Sequence, residues 1–170
     1  AFQGALQEIG EFTGSGSGAA KRNIDPDDPQ VIAANARLDA AMKNKGIAKA
    51  GFVTRKEARL AAANQYASDA YVTGREANWA VLELSDGTFG YSSPRVGSMG
   101  EISVGLYKKR FYLSMKSGGV SVVGIDSIGH NHLMGDFNLS YSDYDLVNNP
   151  LSSHRGSEVC CLPPRSAQPP

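Results

Sequence analysis

The chain has 170 residues, 41% of them hydrophobic, with 17 basic side chains balanced by 17 acidic ones. That length and apolar fraction suit one domain with loose ends. Zero net charge weighs against a nucleic-acid binder, which must neutralise phosphates, and no apolar run is long enough to span a bilayer. Residues 1–24 lack the basic start and compact apolar stretch of a signal peptide. They contain "TGSGSG", which reads as a flexible linker. "DPDDPQ" at 25–30 is a turn and helix-start signal, and the alanine-rich run after it predicts a helix closed by Gly46. A second helix starts at Thr54, with Glu57 completing a capping box, and ends at Gly74. Leu60, Ala63 and Ala67 recur along it at helical spacing.

The pattern then becomes β-like. "NWAVLEL", the turn "SDGT" and "FGYSS" predict a hairpin over 77–93. The stretch 101–115 reads as a strand interrupted near its lysines, "KSGG" as a turn, and "VSVVGID" as a buried strand. "SYSDYDLVNN" predicts a short helix closed by Pro150. Two N-terminal helices, several strands and a last helix predict an α+β domain, or a three-layer α/β one, over residues 25–155. Residues 156–170, ending in "PPRSAQPP", read as a disordered tail. Cys160 and Cys161 are adjacent; bridging neighbours requires a strained ring, so they read as two free thiols. His154 reads as a solvated loop residue.

"GHNHLMGDFNLSYSDYD" at 129–145 concentrates the chemistry. On an extended strand end His130 and His132 face one way, so two imidazoles can converge on one ion. Asp143 follows on the first turn of the expected helix, and a loop through Gly135 can fold it back. Two histidines and a carboxylate suit zinc with a fourth position for water. Duller readings exist. Ser140 and Asp143 form a capping box that needs no metal. A calcium loop fails, because Tyr141 and Val147 stand where an EF-hand needs Gly and Glu. Tyr141 and Tyr144 could line a cleft or pack in the core. Glu76 and Glu83 are both candidates for a general base, and alternation alone does not tell which faces the metal.

His130-x-His132, seven residues, Ser140, two residues and Asp143 together resemble the signature of the JAB/MPN (JAMM) metalloproteases. That resemblance implies one zinc held by His130, His132 and Asp143, with Ser140 stabilising the oxyanion. Leu133 stands where the family usually has proline. "GREANWAVLELSDGTFGYSSP" is similar to a strand and Asp-Gly hairpin in a bacterial JAB-like family found at the C-termini of Rhs-type polymorphic toxins. The preceding helix, near Ser68 and Asp69, also fits, and the likeness spans about residues 27–150. It implies Glu76 as the base and Glu83 as a surface residue. It further implies hydrolysis of a peptide or isopeptide bond, a protein substrate, delivery into a target cell, an Rhs shell as carrier and a cognate immunity protein. A toxin on the same fold that attacks nucleic acid, and an inactive binding module, are the alternatives.

Overall fold

A computed structural model describes residues 23–98 and 109–131, and the backbone of 154–160. Helix α1 spans Pro29–Lys43. The Asp28 carboxylate accepts from the Gln30 N–H at 2.8 Å, and Pro29 sits in the first turn, where its missing N–H costs nothing. The helix stops at Asn44 rather than Gly46. The Gly46 carbonyl is already committed to the sheet, accepting from Ser93 N–H at 2.9 Å.

Strand β1, Ile47–Phe52, was not anticipated from the sequence. It is an exposed edge strand of alanine, lysine and glycine, without the hydrophobic alternation that marks a half-buried strand. Helix α2, Arg55–Thr73, has the expected ends. Thr54 and Glu57 exchange side-chain-to-backbone bonds of 3.2 Å. Gly74, at φ 65°, gives the left-handed cap that a side chain would strain. The buried face differs from the expected stripe: Ala58, Ala62, Tyr66, Ala67 and Ala70 are covered, whereas Leu60 is 60% exposed. Alanines let the helix approach the sheet closely, and Tyr66 supplies the bulk.

Strands β2 (Ala77–Leu84) and β3 (Phe89–Ser92) form the expected antiparallel hairpin. Gly87 at φ 84° makes its turn, and Asp86 accepts from both the N–H and the hydroxyl of Thr88. Strand β4 is Arg95–Val96, α3 is Lys109–Leu113, β5 is Lys116–Ser117, β6 is Val120–Asn131 and β7 is His154–Cys160. Helix α3 corrects the strand expected through 109–113; residues 101–108 lie outside the described residues. One helical turn there brings Tyr112 against the sheet, with Met115 just beyond it. Strand β7 also corrects two expectations. It carries His154 in a strand rather than a loop, and it continues to Cys160, past the tail boundary set after 155.

The sheet runs β1-β3-β2-β6-β5, with β4 on β2 beside β3, and β7 parallel to β6. Helices α1 and α2 cover one face, through Leu38, Tyr66, Ala77, Trp79, Val81 and Tyr91. Helix α3 lies on the other, where Tyr112 and Met115 meet Ala80, Leu82, Leu84, Ile125 and Ile128. The architecture is α+β, with β2 and β6 at the centre of the sheet. Two charge clusters lash helices in place. The Arg37 guanidinium forks onto Asp69 between α1 and α2, with both bonds at 2.9 Å. On β6 the fully buried Asp126 receives Arg59 at 2.7 Å and Arg55 at 3.4 Å.

Candidate functional site

The site forms where β2 begins and β6 ends. Antiparallel pairing sets Asn78 opposite His130, Trp79 opposite Gly129 and Ala80 opposite Ile128. Directly opposed residues share a face, and the face alternates along each strand. Ala80 and Ile128 belong to the α3 layer, so Asn78 and His130 face that side. Glu76 lies one residue before β2, but its carbonyl accepts from Gly97 N–H in continuation of the β2–β4 pairing, so extending the alternation puts it on the same side. All three are buried, with His130 2%, Asn78 1% and Glu76 7% exposed.

On the opposite face the indole of Trp79 lies against the backbone of Gly129. A side-chain carbon there would come within 2.4 Å of Trp79 Nε1, so glycine is what admits the ring. The motif's glycine thus serves the helix-side core, while the next residue, His130, serves the site.

Glu76 sits in the short connection between the Gly74 cap and β2, and the backbone around it is held at several points. The Gly97 N–H donates to the Glu76 carbonyl at 2.9 Å. The Arg75 guanidinium donates to the Gly97 carbonyl at 2.7 Å, and also reaches Asn35 and Asp39. The Asn131 side chain bonds both neighbours of Glu76, the Arg75 carbonyl at 3.2 Å and the Ala77 N–H at 2.8 Å.

Glu83 occupies different surroundings. It alternates with Val81, on the face covered by α1 and α2, and pairs with Phe89 and Gly124. It is half-buried rather than a surface residue, and its carboxylate lies over Gly124. The two glutamates therefore stand on opposite faces, and Glu76 shares the face of His130.

His132, Ser140 and Asp143, together with the helix expected around 140–149 and the flanking Tyr141 and Tyr144, lie outside the described residues. Among the described residues no three His, Cys, Asp or Glu side chains converge. The described part can be tested against a zinc ion by its chemistry. His130 is a buried imidazole at the end of β6 and Glu76 a buried carboxylate just before β2, the residue types that a zinc ligand and a proton acceptor require. In chemical type these two residues are compatible with such an ion. Two buried amides, Asn78 and Asn131, were not singled out from the sequence. Their signal was a polar residue within an otherwise covered strand, and for Asn131 its place between the two histidines.

Comparison with family models, with curated proteins and with solved structures found no match to the chain. No helix of the described residues is long and apolar enough to cross a membrane.

Proposed function

We propose that the domain is a zinc-dependent hydrolase of peptide or isopeptide bonds, serving as the toxic effector of an Rhs-type polymorphic toxin. The motif resemblance carries the reaction class and the delivery. Burial and strand alternation support the choice of residues: Glu76 and His130 are both buried, and continuing the alternation of β2 back to Glu76 gives it the face of His130 and Glu83 the other. In this reading His130, His132 and Asp143 hold the metal. Zinc supplies a Lewis acid for the scissile carbonyl and an acidified water.

The protein's own groups do the rest. A Glu76 carboxylate oxygen accepts the water proton and returns it to the leaving amine. Burial of Glu76 and His130 excludes bulk solvent, which strengthens each charge interaction there. The Ser140 hydroxyl donates to the developing oxyanion. No covalent enzyme intermediate is needed.

The test measures zinc after dialysis and growth arrest on expression inside bacteria. The expected result is one zinc per chain and toxicity abolished by His130→Ala. Glu76→Gln should keep its zinc and lose roughly 100- to 10,000-fold in activity, the scale of a general base. A zinc-free but toxic protein, or full toxicity in His130→Ala, sinks the reading. Loss of activity in Glu83→Ala but not in Glu76→Gln reassigns the base.

A further inference from the structure

We infer that Asn131 is a positioning residue for Glu76; the inference rests on the hydrolase reading above. Asn131 ends β6 and is 1% exposed. Its amide straddles the glutamate: Nδ2 donates to the carbonyl of Arg75, and Oδ1 accepts from the N–H of Ala77. The partners decide the amide's orientation, since a carbonyl needs a donor and an N–H needs an acceptor.

The position is informative. The β2–β6 ladder pairs Asn78 with His130 as its last registered residues, so past that point a side chain replaces main-chain bonding. Gly97 holds the carbonyl of Glu76 itself. The residue's backbone is thus gripped from β6 on one side and from the segment after β4 on the other. Only a short side chain carrying both donor and acceptor can bond both neighbours. Aspartate keeps the acceptor and loses the donor; alanine loses both. The residue between the two histidines thereby ties the carboxylate segment to the strand that bears the ligand, so that base and metal keep one spacing.

The test uses the protein loaded with Co2+ in place of zinc and reads acetohydroxamate binding by visible absorption. A hydroxamate chelates the metal and donates a hydrogen bond to a correctly placed carboxylate. Glu76→Gln is expected to weaken the probe roughly 10-fold or more, and Asn131→Ala by a similar factor, with Co2+ content unchanged. In the Glu76→Gln background Asn131→Ala should add little, because both changes remove one effect. Asn131→Ser, uncharged and able to keep only one of the two bonds, should fall between the parent and Asn131→Ala, and it carries the comparison if the alanine variant does not fold. An equal loss in both backgrounds, or no loss at all, overturns the inference. A parent that takes up no Co2+ refutes the hydrolase reading and the inference with it. In that case faster exchange of the Ala77 amide in Asn131→Ala would leave a structural clamp only.

Discussion

Replacing Gly129 with alanine tests how closely the two central strands and the helix-side core fit. Trp79 is fully buried, and its ring centroid is 5.6 Å from that of Tyr66. The added carbon would stand 2.4 Å from Nε1, 2.5 Å from Cε2 and 2.8 Å from Cζ2. Non-bonded carbon contacts settle at about 3.5–4.0 Å, so the ring must retreat by about 1 Å. Behind it stands Tyr66, itself buried and donating its hydroxyl to the Ser92 carbonyl, so the retreat meets packed atoms. Overpacking of this kind costs about 1–3 kcal/mol. With a urea slope of about 2 kcal/mol per molar, the midpoint should fall by about 0.5–1.5 M. Trp79 is the sole tryptophan, so its fluorescence follows both the unfolding and the displaced ring. Trp79→Phe removes the part of the ring nearest the new carbon, and in that background Gly129→Ala should cost about 1 kcal/mol less. An unchanged midpoint and emission, or equal costs in both backgrounds, would refute the packing argument.

Three further outcomes are expected. Thr54→Ala breaks the capping box of α2 and should cost about 1 kcal/mol in denaturant unfolding, with the same change at exposed Asn64 costing far less. Arg59→Ala strips the closest partner from buried Asp126 and should cost roughly 3 kcal/mol. Asp126→Asn should cost less, because the arginines, 35% and 49% exposed, can turn to water; calorimetry showing the reverse order would contradict this. Burial, with the nearby Tyr91, pushes the Tyr66 phenol well above its ordinary value, and burial raises Tyr91 as well. The unfolded chain then releases these protons first, so stability holds below about pH 10 and is lost as pH rises further. Tyr66→Phe should flatten that alkaline decline in a pH series of thermal melts, and an equally steep decline would refute the assignment.

Much of the architecture was legible where its cause is local. The Thr54–Glu57 box and the left-handed Gly74 each depend on residues within one turn, as does the Asp-Gly turn of the hairpin. Features whose cause is distant were not legible. Strand β1 exists because β3 offers an edge, not because "IAKAGF" has a pattern of its own. Gly46 does not cap the helix because the chain leaves it at Asn44 and turns at once into β1, paired with β3. Leu60 faces solvent because the alanine face packs closer to the sheet.

The same division runs through the site. Residue identities and spacing marked His130, His132 and Asp143 as candidate ligands, the motif's likeness added Ser140, and alternation marked which residues of one strand share a face. Alternation is relative, however: it relates 76 to 78 and 81 to 83 without saying which side is which. That depends on the helices covering one face, on the pairing of Asn78 with His130, and on the register shifts between Val81 and Leu82 and between Glu83 and Leu84. Those are long-range contacts, and only the tertiary structure assigns Glu76 and Glu83 to opposite faces of the sheet and brings the Asn131 amide across the backbone of Glu76.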